Sequence, residues 1–109
     1  MKKLEKWCDT TLENHRRKFK VHISKKELLK LAKETLYCPL CGCHLNWYYT
    51  NHGDMNCPQF DRKDNETKLT LDNIWIVCRR CNIAKGKMPL AKFVGYCELI
   101  YKRFNKIWE

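Results

Sequence analysis

The sequence predicts a small α+β fold, with a two-stranded element and a short helix at its centre and longer helices before and after. Three observations carry this reading. Apolar residues recur at helical spacing near both ends, two short extended stretches lie between them, and two Cys-x-x-Cys pairs bracket those stretches. At 109 residues the chain is read as one domain. Its parts are a basic helical N-terminal extension (1–36), a metal-stapled core (37–93) and a C-terminal helix (90–108). A core this small gains limited stability from burial, and a bound metal is a usual supplement.

The first predicted helix covers about residues 4–20, with Leu4, Trp7, Cys8, Leu12 and His15 near one face. Arg16, Arg17, Lys18 and Lys20 make a dense positive cluster, either a solvated helix face or a contact to a nucleic-acid backbone. A second helix begins at Ser24. Glu27 follows three residues later, the reciprocal capping box that satisfies two orphan backbone donors. Leu28, Leu29, Leu31, Ala32 and Leu36 form its apolar stripe, expected to pack on the cysteine region. This helix should stop near Tyr37, because Cys38 precedes Pro39 and is pushed out of helical backbone.

Residues 38–44 read as a metal knuckle turned at Gly42, Trp47-Tyr48-Tyr49 as strand-like, and 50–56 as a polar loop. A short strand is expected at 59–62 and a further stretch of extended chain over 69–77, joined by the turn-rich Lys63-Asp64-Asn65-Glu66. A short helix over about 81–88 ends at Pro89. The last helix, about 90–107, should bury Phe93, Val94, Cys97, Ile100, Tyr101 and Phe104.

The chain carries 22 Lys+Arg against 12 Asp+Glu, a net charge of +10 and a pI near 9.3. Such a surplus attracts polyanions, with nucleic acid the leading candidate. No apolar run approaches a membrane span, and the first residues show no signal-peptide core, so a reducing, cytoplasmic setting is expected. A disulfide scaffold is rejected although there are eight cysteines, because four of them sit in metal-type pairs. Cys8, Cys43, Cys57 and Cys97 are expected to be buried apolar residues. A second metal site from Cys43, His44, His52 and Cys57 is the lesser alternative.

Cys38, Cys41, Cys78 and Cys81 suit one structural zinc ion, since each Cys-x-x-Cys turn presents two thiolates and tetrahedral zinc takes four. The 36 residues between Cys41 and Cys78 must then fold out as a unit of their own. Within that unit and just beyond it, Asp61 offers a hard carboxylate at a strand end and Asn82 an amide oxygen at a helix start. If those elements pack face to face, both side chains can reach one Mg²⁺-like ion that keeps most of its waters. Phosphodiester cleavage asks for such an ion, an activated water and a cation near the leaving group.

These residues resemble the HNH (ββα-metal) endonuclease family over roughly residues 38–93, about half the chain. The resemblance rests on Cys38-Pro-Leu-Cys41-Gly, Phe60-Asp-Arg-Lys-Asp-Asn, Leu69-Thr-Leu-Asp-Asn-Ile and Val77-Cys-Arg-Arg-Cys-Asn-Ile-Ala-Lys-Gly, in that order. It implies a zinc-stapled hairpin and helix that binds one catalytic Mg²⁺ or Mn²⁺ and cuts DNA. By position, Asp61 is similar to the metal-binding acid, and Asn73 to the middle Asn that bonds across the loop and orients the catalytic strand. Asn82 matches the His or Asn that completes the metal site. Lys85, one turn further, would approach the phosphate.

The departure is Arg62, which stands where a base His is common. A guanidinium stays protonated and would contact phosphate instead. His52 is the first substitute base; His44, Tyr49 or no protein base at all are the alternatives. Arg16, Arg17, Lys18, Arg79, Arg80, Lys85 and Lys87 are expected along the nucleic-acid backbone. A small stand-alone chain of this kind resembles enzymes of phages, mobile elements and restriction systems, and the residues do not decide among these. Action in a cytoplasm, a host's in the first two cases, is the expectation. A homodimer or larger complex is open, and the second reading is a noncatalytic zinc-containing nucleic-acid-binding module.

Overall fold

Helix α1 spans Lys2–Arg16 and buries Trp7, Cys8, Thr11 and Leu12 along one side. It stops short of residue 20 because the amides of Lys18 and Phe19 both fold back onto the His15 carbonyl, at 3.1 and 2.9 Å. The chain is then drawn away: Val21 bridges to Leu69, and the His22 amide donates to the Leu69 carbonyl at 2.9 Å. The structure, a computed structural model, describes residues 2–51, 53–64 and 68–108, with 2 and 106–108 described through backbone alone. His52, Asn65 and Glu66 lie outside the described residues.

Helix α2, Lys25–Glu34, starts with the expected capping box: Ser24 Oγ accepts from the Glu27 amide and Glu27 accepts from the Ser24 amide. Leu28 and Ala32 are fully buried, and α2 packs on α1 and on the second strand. It ends at Glu34 rather than near Tyr37. Thr35 turns its amide to the Ala32 carbonyl and its hydroxyl to the Leu31 carbonyl, at 2.6 Å. Leu36 therefore leaves the stripe, pairs through its carbonyl with the Leu45 amide, and is exposed.

A tight cysteine turn follows, with the Cys38 amide on the Cys43 carbonyl, the Gly42 amide on the Cys38 carbonyl, and Tyr37 bridged to His44. Gly42 has φ +79°, backbone that favours glycine. The segment Trp47-Tyr48-Tyr49 is a turn and not a strand. Asn46 captures the Tyr48 amide at 3.0 Å, and the buried Trp47 donates its indole N–H to the Thr35 carbonyl at 2.9 Å. Trp47 also meets Trp7 edge-on, with ring centres 5.2 Å apart.

Strands β1 (Pro58–Arg62) and β2 (Ile74–Cys78) pair antiparallel, so that Pro58 faces Cys78 and Asp61 faces Trp75. A 3₁₀ turn, Leu71–Asn73, replaces the front of the longer extended run expected here. Helix α3, Arg79–Lys85, starts two residues earlier than predicted because Cys78 caps it, its sulfur accepting from the Cys81 amide. These elements form a ββα-like arrangement whose core joins Trp7, Leu12, Leu28, Leu45, Trp47, Ile74, Ile76 and Val77.

Helix α4, Leu90–Trp108, departs most from expectation. Every residue from Val94 to Phe104 is exposed; of the predicted apolar face only Phe93 is half-buried. Cys97 is likewise exposed, unlike Cys8 and Cys57. Periodicity identified the helix but not its neighbours. No helix among the described residues is long and apolar enough to cross a membrane.

Gly86 closes α3 at φ 55°, ψ −128°, with its amide on the Asn82 carbonyl. A Cβ there meets no atom closer than 3.8 Å, so its cost is backbone strain alone. Gly86→Ala is expected to lower stability by about 1–3 kcal/mol, measured by urea unfolding.

Candidate functional site

The sulfurs of Cys38, Cys41, Cys78 and Cys81 all lie within 4.8 Å of one another, close enough to hold one metal ion such as zinc. The Cys41 and Cys78 sulfurs are 3.7 Å apart. Thiolates on one tetrahedral zinc stand about 3.8 Å from each other. Backbone amides of Cys78 and Cys81 point at the sulfurs of Cys38 and Cys78, both at 3.4 Å. Among the described residues no second cluster of three or more His, Cys, Asp or Glu ligands forms, so the lesser site around Cys43 and Cys57 is not assembled by them.

Cys43 adjoins this cluster, a position that its spacing, two residues after Cys41, could have suggested. Burial, and then the neighbouring thiols of Cys41 and Cys78, push the Cys43 thiol up to about 12. The Cys41 thiol is lowered to about 6, first by the Cys43 backbone hydrogen bond. Cys81 is raised, chiefly by burial. A bound divalent cation supplies the charge that lets all four ligands ionise together.

The contact between β1 and α3 is built from two facing side-chain rows. On β1, Gln59 and Asp61 are two residues apart and share one side of the strand. On α3, Asn82 and Lys85 are three apart and share one side of the helix. The rows meet. Asn82 Nδ2 donates to Gln59 Oε1 at 2.8 Å, and Lys85 Nζ donates to Asp61 at 3.3 Å and to the Arg62 carbonyl at 2.8 Å. Asp61 Oδ2 also accepts the indole N–H of its cross-strand partner Trp75 at 2.8 Å.

This corrects the expectation for Lys85. Its side chain has no exposed surface and its charge is matched to Asp61, itself 6 % exposed, so it cannot lie along a nucleic-acid backbone. Helical register decides this: residue 85 falls on the face of α3 that meets β1. Asn73 ties the connection between the strands. Its side chain accepts from the Asp64 amide and donates to the Asp64 and Lys68 carbonyls, all between 3.0 and 3.1 Å.

Asp61 and Asn82 line one open cleft of about 420 Å³ with His15, Phe19, Phe60, Arg62, Gly86 and Lys87. The Arg62 guanidinium sits over the Phe19 ring at 4.7 Å. A wider groove of about 650 Å³ continues between α1 and β1, sharing His15, Phe60 and Asn82 and edged by Lys3, Lys6 and Tyr49. Arg16, Arg17 and Lys18 are exposed at the end of α1, Arg17 pairing with Glu13; Lys87 and Arg80 are exposed, and Arg79 is half-buried.

Of the substitute bases, His44 lies on the cysteine turn against Tyr37, away from the cleft, and His52 is outside the described residues. In the sequence His15 stands out only as part of the apolar face of α1. Nothing in its local pattern signals that the helix end abuts β1.

A hard divalent cation fits the donors in this cleft. An ionised carboxylate has about four lone-pair positions. Trp75 and Lys85 take part of that capacity on Asp61, and the Asn82 amide oxygen remains while its nitrogen holds Gln59. Two protein oxygens leave the remaining positions for water and phosphate, as Mg²⁺ prefers. Comparisons with protein-family models, curated proteins and solved structures find no match for this chain.

Lys85→Met should leave Asp61 buried without its cation and cost about 3–5 kcal/mol in urea unfolding. Adding Asp61→Asn should recover most of that loss; a double variant as unstable as Lys85→Met would rule out the pair as its source. Cys41 and Cys97 are both exposed. In zinc-loaded protein, brief iodoacetamide treatment should label Cys97 and spare Cys41, as read by peptide mass mapping. Chelation should make Cys38, Cys41, Cys78 and Cys81 reactive as the chain unfolds.

Proposed function

We propose that this chain is an HNH-type endonuclease, with zinc in the four-cysteine site, that hydrolyses DNA phosphodiester bonds. The observation that supports this most is one cleft lined by a strand carboxylate, Asp61, and a helix amide, Asn82, next to that site. Asp61 and Asn82 would hold Mg²⁺ or Mn²⁺. When bound, such an ion polarises the scissile phosphate and the attacking water.

The chain's own groups supply the rest. Asn73 fixes the β1–β2 connection and so the end of the strand that carries Asp61. Trp75 and Lys85 hold the Asp61 carboxylate in one orientation. Arg62 and Lys87, both on the cleft, pair with phosphate oxygens. Arg16, Arg17, Lys18, Arg79 and Arg80 add attraction for the DNA backbone, which carries no sequence information.

A second reading draws on Lys85. An ammonium already occupies the carboxylate that the ion needs, and Arg62 replaces the usual base. Both features suit a noncatalytic nucleic-acid-binding module that keeps the fold of an enzyme.

Supercoiled plasmid incubated with the protein and Mg²⁺ or Mn²⁺ separates the two. The endonuclease reading expects nicked or linear product, reduced about a hundredfold or more in Asp61→Asn and Asn82→Ala. Asp61→Asn keeps the shape of the side chain beside Lys85, and circular dichroism checks that the fold persists. Binding without cleavage by parent and variants alike would favour the module.

A further inference from the structure

We propose that His15, at the end of α1, is the general base of this cleft. The inference rests on the phosphodiesterase reading above and supplies the group that Arg62 cannot. Four observations converge on it. His15 lines the same cleft as Asp61, Arg62 and Asn82, although it comes from a different part of the chain. Its Nδ1 lies 2.8 Å from the Thr11 carbonyl oxygen. A carbonyl only accepts, so in the neutral ring Nδ1 carries the proton and Nε2 keeps its lone pair.

The ring is also held in place. It lies against Phe60, the residue before Asp61, with ring centres 4.5 Å apart and planes tilted by 55°. The helix beneath it is anchored by the buried Trp7, Cys8 and Leu12. Competing candidates in the cleft are committed elsewhere. The Asp61 carboxylate is bound to Lys85 and Trp75, while Arg62 and Lys87 are cations.

In the step assigned to it, Nε2 takes a proton from a water molecule in the cleft. The water oxygen bonds to phosphorus, and the bond from phosphorus to the leaving ester oxygen breaks. The electron pair stays on that oxygen, which is protonated by solvent, and the imidazolium later returns its proton to solvent. The net reaction is hydrolysis, with water as the only reactant besides the nucleic acid.

The test compares the parent with His15→Ala and His15→Gln on plasmid in Mg²⁺ or Mn²⁺, and measures binding of a labelled duplex in Ca²⁺ by anisotropy. Turnover should fall about 10²- to 10⁴-fold in both variants while binding stays at the parent level. Added imidazole should restore part of the rate to His15→Ala and leave the parent unchanged, an outcome that a structural role for His15 does not produce. In the parent, long-range ¹H–¹⁵N correlations of the neutral ring should show Nδ1 protonated and Nε2 bare. A variant that cuts as fast as the parent, a loss that imidazole does not relieve, or a ring protonated on Nε2 would each overturn the assignment while leaving the nuclease reading in place. A parent that cuts nothing removes both.

Discussion

Four sulfurs lie within 4.8 Å of one another, close enough to share one metal ion, and the rest of the arrangement is built around that point. They join the turn after α2 to the point where β2 becomes α3, so the two ends of a long excursion are fixed and the β-hairpin between them is closed at its base. Cys78 serves twice, as a cluster member and as the cap of α3. The direction in which α3 leaves the sheet therefore follows from the position of one sulfur. That direction brings Asn82 and Lys85 against Gln59 and Asp61.

Where the sequence determined structure through local chemistry, the reading agrees with the fold. Ser24 and Glu27 form their reciprocal cap, the cysteine pairs converge, and both short strands lie where extended residues flank a turn-rich run. Each of these depends on groups a few residues apart or on ligands that seek one centre. The failures share another cause. Trp47 lies in a turn because the Asn46 side chain captures a nearby amide, which strand propensity does not register. Helix α4 has the periodicity of a buried helix, yet residues Val94 to Phe104 stay in water. A pattern states which face is apolar and is silent on whether anything covers it.

The site was legible to the same degree. Asp61, Asn73 and Asn82 could be singled out by residue type and order, and the structure puts Asp61 and Asn82 on one cleft, with Asn73 bracing the connection. Lys85 could not be placed from sequence, because a lysine after a helix start points to solvent or to the sheet according to a register set by Cys78. His15 is a tertiary product. Only the packing of α1 on α2, of α2 on β2, and of the His15 ring on Phe60 carries a residue so far from the cysteine pairs to the same opening.

The buried Lys85–Asp61 pair also sets the electrical character of the opening. With Asp61 matched from beneath by a buried ammonium, the carboxylate lends the opening little net negative charge. A bare divalent cation approaching such a mouth finds little there to draw it in. On the nuclease reading, a bound phosphodiester would bring the negative charge and hard oxygens that the cation needs. A lysine that never touches solvent would then set the order of arrival: polyanion first, metal second.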